Sequence, residues 1–317
     1  MDIQYIKNRL KELGFDSQSV NRYHEHHRYY HTEAHILYIL QLLEKQNLLN
    51  DDELFLTTIF HDIIYDPNSA TNEEDSAKLF KTEAAGSKLS EDKIKNIYQL
   101  ILDTKTHKAS SEKSQLFIDA DLNIFNESDD KLFEYEKQIF KEFQFVDYKE
   151  YKPKRIEILQ KFNKDGKLDR LIAHVQHVQP TIAVFPGSFN PFHKGHYNVL
   201  QKAEHIFDKV IIAFGKNPDK NARTWDIPRT IQNRQMMEYE GLVTDFVDSL
   251  SYDVVVIRGL RNSTDFQYEQ NQYRYIQELK PGIKIVSVFC DKEFEHISSS
   301  GIRTLEKYNK HQNYLLD

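Results

Sequence analysis

The sequence is short of the residues that would settle its class at once. Its 317 residues include one cysteine, Cys290, so no disulfide can close within the chain and a cysteine-based structural zinc site is excluded. Ten glycines and eight prolines are spread thinly, with no long repeat and no low-complexity segment. No apolar run approaches the roughly 20 residues of a membrane span, so no membrane partner is expected. The opening stretch MDIQYIKNRLKELGF is charged and amphipathic, without the apolar core of a secretion signal, and a cytoplasmic location is expected. Basic residues are in deficit, 42 Lys and Arg against 49 Asp and Glu, for a net charge of −7. That argues against a nucleic-acid binder held by a broad basic surface. Small anionic ligands need only a local basic pocket.

What the chain does have is apolar material, 39% of its residues, with 12% aromatic. That is enough for two cores, and the length predicts two domains. The halves differ in pattern. Up to about residue 170 the spacing is helical, beginning with Ile3, Ile6, Leu10 and Leu13. HILYILQLLEKQNLL, DDELFLTTIFHDIIY, SEDKIKNIYQLILDTKTH and SDDKLFEYEKQIFKEFQF follow as further helices. Near residue 178 the pattern changes. TIAVFPG, KVIIAFG, DVVVIRG and KIVSVFC read as strands. HYNVLQKAEHIF, RTIQNRQMMEYE, DFQYEQNQYRYIQEL and GIRTLEKYN read as the helices between and after them. Alternation of this kind predicts a parallel α/β sheet. An all-α domain over 1–178 and an α/β domain over 179–317 are expected. HVQHVQP (174–180) is either a linker or the end of the last helix of the first domain.

Ligands of open parallel sheets bind beyond the carboxyl ends of the strands, and three features of the second half fall there. TIAVF delivers Gly187 and Ser188, after which a helix begins near Gly195 and His196. A helix start attracts phosphate. His193 and His196 are three residues apart, and Gly195 between them lets the backbone approach a ligand. Arg258 and Arg261 leave the end of DVVVIRG, and guanidinium groups suit phosphate. Ser298, Ser299 and Ser300 precede a helix, which they either cap or equip for phosphate binding.

Together, FPGSFNPFHKGH, VVVIRGLRNSTDFQYE and HISSSGIR resemble the nucleotidyltransferases with an HxGH motif, and most closely the phosphopantetheine adenylyltransferases, over about Thr181 to Tyr308. The resemblance implies a Rossmann-like fold and transfer of AMP from ATP, with magnesium, to 4′-phosphopantetheine. It also implies roles. His196 would stabilise charge growing on the α-phosphate, with His193 and Gly195 beside the ATP phosphates. Ser188, Lys220 and Arg258 would hold the acceptor. Arg261, Glu269 and Ser298 to Ser300 would build the nucleotide site. FNPFHKGH and SSSGIR also look like the nicotinamide mononucleotide branch, which leaves that acceptor as the alternative.

In the first half, His31 and His35 are four residues apart, on one face of a helix. His61 and Asp62 follow in an apolar helix, where an Asp is costly unless paired or coordinating. Asp119 and Asp121 lie in FIDADLNIF. Imidazoles with carboxylates suit divalent transition metals. HEHH (24–27) is read as a solvated helix edge. Five blocks occur in order: Arg28 to His35, His61 to Pro67, Asn72 to Ala77, Thr104 to His107 and Asp119 to Leu122. They resemble a subgroup of the HD superfamily of metal-dependent phosphohydrolases. The resemblance implies His35, His61, Asp62 and Asp121 as ligands of Mn, Fe, Co, Ni or Zn, and His31 as general acid. It makes Glu73, His107 and Asp119 supporting or proton-transfer candidates, and Arg28 and Lys105 candidates to receive a substrate phosphate.

The expected whole is a bifunctional enzyme and a homo-oligomer, acting on ATP and 4′-phosphopantetheine in one half and on an unidentified phosphorylated substrate in the other. A first half that binds metal and nucleotide only to regulate the second is the competing reading.

Overall fold

The computed structural model describes residues 1–216 and 227–317. They form two compact units, Met1–Glu142 with Asn163–Leu171, and Phe143–Phe162 with Ile172–Asp317.

The first unit is helical. Its helices are α1 (Ile3–Leu13), α2 (Glu33–Lys45), α3 (Asp52–Phe60), α4 (Asn72–Ala84), α5 (Glu91–Thr104), α6 (Glu112–Asp121) and α7 (Asp129–Glu142). Short polar residues start several of them: Asp2, Asp51, Ser90 and Ser111 each accept a hydrogen bond from the backbone of the first turn. Gly14 ends α1 at φ 88°, a left-handed backbone that glycine adopts without a Cβ clash. α3 is buried on every side, as an all-round apolar helix must be. Around it pack Ile6, Leu10, Ile36, Leu40, Ile97, Ile101 and Phe117.

Three local expectations change. His31 lies ahead of α2 and of its cap Thr32, so it does not share a helix face with His35. α3 stops at Phe60, so His61 and Asp62 lie just past its end and not inside an apolar helix. HEHH is no helix edge either. His24 ends a 3-10 helix, Ser19–His24, and His26 and His27 lie in a turn. There His27 Nε2 meets the Tyr65 carbonyl at 2.7 Å.

The second unit takes in α8 (Tyr148–Phe162), most of α9 (Asp169–His177), and then β1 (Ile182–Gly187), α10 (Lys194–Ile206), β2 (Lys209–Lys216), β3 (Met236–Glu240), α11 (Val243–Ser249), β4 (Val255–Leu260), α12 (Ser263–Leu279), β5 (Lys284–Phe289) and α13 (Ser299–Glu306). The strands form one parallel sheet in the order β3-β2-β1-β4-β5. The order reverses between β1 and β4, which is where open sheets of this kind hold ligands. The fold is therefore the expected pair, an all-α unit and a Rossmann-like α/β unit.

RTIQNRQMMEYE is not the helix its composition suggests. Residues 229–231 make one 3-10 turn, and Met236–Glu240 is β3, in register from Ile212–Met236 to Lys216–Glu240. Pairing along the sheet edge overrides the helix preference of Met, Gln and Glu. Residues 174–177 of HVQHVQP complete α9.

The segment ahead of α8 is gripped by the sheet. Buried Lys209 donates from Nζ to the carbonyls of Gln144 and Val146. Asp147 Oδ2 accepts from Gln235 Nε2 at 2.8 Å and from the Tyr252 hydroxyl at 3.0 Å.

At the end of β1 the chain turns sharply over an aromatic cluster. Phe189, at φ 41°, lays its ring against Phe185, Phe192, Phe214 and His196. A Cβ on Gly187 would come within 2.7 Å of the Phe189 ring, so only glycine fits beneath it. Gly187→Ala should cost about 1–3 kcal/mol, the range of a core overpacking change, measured as a lower urea midpoint with an unchanged slope. Wild-type stability in this variant would show that the Phe189 ring is not held there.

Candidate functional sites

The ends of β1 and β4 and the starts of α10 and α13 frame one cleft of about 1440 Å³. Ser188, His193, Gly195, His196, Arg258, Arg261, Glu269, Ser298, Ser299 and Ser300 all line it. Lys220 lies outside the described residues.

His193 and His196 form a reciprocal cap at the start of α10. The His196 N–H donates to His193 Nδ1 at 3.3 Å, and the His193 N–H donates to His196 Nδ1 at 3.4 Å. The rings stack at 3.6 Å between centroids. Because each Nδ1 accepts, each proton sits on Nε2, so both rings are Nε2–H donors. Burial lowers the basicity of His193, and the Arg261 guanidinium lowers it further, to about 4. Burial, then His193 and Arg261, hold His196 well below its ordinary value. Both imidazoles are neutral at pH 7. Gly195 packs closely here: a Cβ there would sit 3.1 Å from the His193 ring, which would have to shift by a few tenths of an ångström. The close approach expected of Gly195 is thus made first by a side chain of the protein.

Arg261 is oriented by Asp265, which accepts from its Nε at 2.8 Å and from Nη2 at 2.9 Å. Arg258 Nε lies 3.3 Å from Glu269 Oε2, so Glu269 is set against a guanidinium. Ser298 caps α13, accepting from Gly301 N at 3.1 Å, and Ser299 donates to the Pro191 carbonyl at 3.1 Å. The serine run therefore ties α13 to the loop after β1. Arg303 and Lys216 also line the cleft. Arg303 stands in the SSSGIR stretch, where its guanidinium now bonds the Asn190 carbonyl. Lys216 closes β2 and pairs with Glu238, and nothing in its local sequence marked it.

In the first unit the ends of α2, α3 and α6 bring four side chains together. His35 Nε2 lies 3.3 Å from His61 Nε2 and 3.2 Å from Asp121 Oδ1. His61 Nε2 lies 3.0 Å from Asp62 Oδ2. One ligand atom from each of His35, His61 and Asp62 falls within 4.8 Å of the others. The His61 Nδ1–H donates to the Thr58 carbonyl at 3.0 Å, which turns the Nε2 lone pair into the cluster, the arrangement of a metal-ligating histidine. Two imidazoles and two carboxylates suit a divalent transition ion, and the donor set fits one. Burial alone would make His61 less basic, but Asp62 and Asp121 hold it well above its ordinary value.

The other residues singled out in this half are placed as follows. His107, at φ 51°, sits 3.8 Å from Asp121 Oδ2. Arg28 is buried and bonds the carbonyls of His31, Asp62 and Ile63 as well as Glu25. Its guanidinium thus holds the turn that carries Asp62. Lys105 bonds Glu74 and the Ala70 carbonyl. Glu73 is half-buried on the first turn of α4. Asp119 is exposed and bonded to Gln115, two residues from Asp121 and hence around the helix from it. His31 Nδ1 donates to Glu142 Oε2 at 2.7 Å, and its Nε2 is 4.0 Å from Asp62 Oδ2. Glu142, 111 residues on, carries no motif signal at all.

The His193 geometry gives a pH test. The ordinary value near 6.5 holds in the unfolded chain, and the folded value is about 4. As pH falls through that window the unfolded chain takes up the proton first, so this group's contribution to stability is lost between them. An NMR titration should place the His193 midpoint near 4, and one near 6.5 would mean that the ring is solvated.

Residues 184–305 match the family described as cytidylyltransferase-like. The phosphopantetheine adenylyltransferase of Mycoplasma capricolum subsp. capricolum is 38% identical over 138 residues, 41% of this chain and 99% of that protein. That of Cytophaga hutchinsonii is 38% identical over 138 residues, 40% of this chain and 91% of that protein. That of Levilactobacillus brevis is 34% identical over 137 residues, 40% of this chain and 84% of that protein. With nearly the whole of the mycoplasmal protein matched and the cleft built from the matching stretches, this chain belongs, through its second unit, to the phosphopantetheine adenylyltransferase family.

Proposed function

We propose that residues 179–317 transfer AMP from ATP to 4′-phosphopantetheine, giving dephospho-coenzyme A and pyrophosphate. The observation that carries this reading is the convergence of His196, Arg258, Arg261 and Ser298 to Ser300 on one cleft at the point where the strand order reverses. An acceptor phosphate oxygen attacks the α-phosphorus, and the bond to the β-phosphate breaks with its electrons leaving on pyrophosphate. The acceptor is already a nucleophile, so the protein aligns it and neutralises charge. Ser188, Lys220 and Arg258 hold the acceptor. The neutral His196 donates from Nε2 to the α-phosphate as charge grows there, with His193 and Gly195 beside the chain of phosphates. Arg261 and Ser298 to Ser300 take the β- and γ-phosphates, and Glu269 supports the nucleotide site. Magnesium, bound with ATP, supplies further charge neutralisation. The relatives quoted above carry the pantetheine name, which favours that acceptor over nicotinamide mononucleotide.

We further propose that residues 1–178 are a phosphohydrolase module for a phosphorylated substrate. A divalent ion held by His35, His61, Asp62 and Asp121 would supply Lewis-acid activation of water and of a phosphoryl oxygen. The supporting observation is the cluster of Nε2 and carboxylate atoms with the His61 tautomer already set. His31 stands by as proton donor. A cytoplasmic homo-oligomer belongs to the same reading.

Pyrophosphate release should require ATP together with 4′-phosphopantetheine, and His196→Ala should lower it by about 10²-fold or more, the effect of losing one charge-stabilising donor. Consumption of nicotinamide mononucleotide alone would overturn the acceptor assignment, and undiminished turnover in the variant would remove His196 from the mechanism. Asp62→Ala should lose the metal from the full chain, by elemental analysis, with adenylyl transfer unchanged. Retained stoichiometric metal would mean a different ligand set. A metal-loaded chain inert towards a broad panel of phosphate esters and nucleotides would favour the regulatory reading of the first half.

A further inference from the structure

Glu142 is the last residue of α7, and its side chain is fully buried. Its two oxygens do different work. Oε1 accepts three successive backbone N–H groups, from Tyr29, Tyr30 and His31, at 2.8, 2.7 and 2.9 Å. Consecutive N–H groups converging on one oxygen make a backbone anion cradle, and here they fix the turn into α2. Oε2 accepts from His31 Nδ1 and from the Tyr65 hydroxyl, both at 2.7 Å. The Tyr65 ring stacks on His31 at 4.2 Å and 29°. A carboxylate needed only to tie down the turn would require Oε1 alone. The two bonds at Oε2 fix the plane, the rotation and the tautomer of an imidazole that faces the metal-type cluster.

We propose that Glu142 is the positioning residue of the first-unit site, holding His31 with Nδ1–H on its carboxylate and Nε2 turned towards Asp62. Nε2 stands 4.0 Å from Asp62 Oδ2, outside hydrogen-bond range and placed to meet a substrate oxygen beside the cluster. A fixed partner at one nitrogen of an imidazole sets the tautomer and orientation with which the other exchanges a proton. Tyr65 has the same part from the other side, by stacking and by sharing Oε2. The functional half of this proposal rests on the hydrolase reading, whereas the tautomer half does not.

The test uses the full chain loaded with Zn²⁺ for long-range ¹H–¹⁵N spectra and with Mn²⁺ for turnover of bis(p-nitrophenyl) phosphate. In the wild type, His31 Nδ1 should be protonated. Glu142→Gln keeps one oxygen for the three N–H groups but replaces Oε2 with an amide that cannot accept. His31 should then lose the Nδ1 proton, with helix content and metal stoichiometry retained, and turnover should fall by about 10²-fold, the low end for an acid–base group. An unprotonated Nδ1 in the wild type, or an identical His31 signature in the variant, overturns the proposal. Should the variant not fold, the wild-type spectrum decides alone. If the wild type turns over no phosphate ester while the spectra behave as expected, the hydrolase reading fails and the positioning of His31 by Glu142 stands.

Discussion

The exchange of hydrogen bonds between His193 and His196 is the interaction on which the larger cleft depends. Each ring accepts the other residue's backbone N–H, so the first turn of α10 has two of its open donors satisfied by the residues meant to face a ligand. The same bonds put the proton of each ring on Nε2. Burial and Arg261 then keep the rings neutral. A neutral donor suits a site crowded with phosphate. It offers a hydrogen bond where charge develops without adding a cation that the ground state would already bind, and binding the ground state equally well does not speed the chemistry. The cleft's cations are Arg258, Arg261, Arg303 and Lys216, set among the carboxylates of Glu240, Asp265 and Glu269 that also line it. A chain of net charge −7 thus gathers its cations locally at the cleft.

Much of this site was legible because it is built locally. β1, the HxGH turn and α10 are contiguous, as are β4 with Arg258 and Arg261, and each short stretch carries its own strand or helix signal. β3 was not legible. Its residues have a helical composition, and only pairing with β2 makes them a strand. In the first half, His31, His35, His61, Asp62 and Asp121 were marked by their motif blocks, whereas the helix placements expected for His31, His61 and Asp62 were not those the fold adopts. Asp119 could not be separated from Asp121 by motif alone, because both occur in FIDADLNIF; two steps along a helix put them on different sides of it. Glu142 was beyond reach, since its meaning comes wholly from contacts 77 to 113 residues away.

The two sites are built by different means. The cleft uses fixed positive groups and helix starts, which need no cofactor to be in place. The helical site brings together carboxylates and imidazoles that would repel a phosphate unless a cation were added, so its four side chains make chemical sense as a set only around positive charge. Arg28 shows the difference. In the cleft, arginines face open volume. Here the arginine is buried and occupied by the backbone carbonyls of the turn that carries Asp62. What it does in the structure is hold the backbone beside Asp62.

Backbone strain points to the same two places. Among the described residues, four that are not glycine have positive φ: Asn47, His107, Phe189 and Asn309. Asparagine enters the left-handed region readily, so two of the four need no special account. Histidine is less suited to it and phenylalanine less still. Each such residue costs of order 1–3 kcal/mol and persists only where its surroundings over-determine it. Phe189 is held by four aromatic rings at the mouth of the cleft, and His107 lies against Asp121 in the helical site. The backbone departs from its easy conformations where the side chains converge. Phe189 is also buried in the core of the second unit, so the strain of its backbone is offset by packing at the same place.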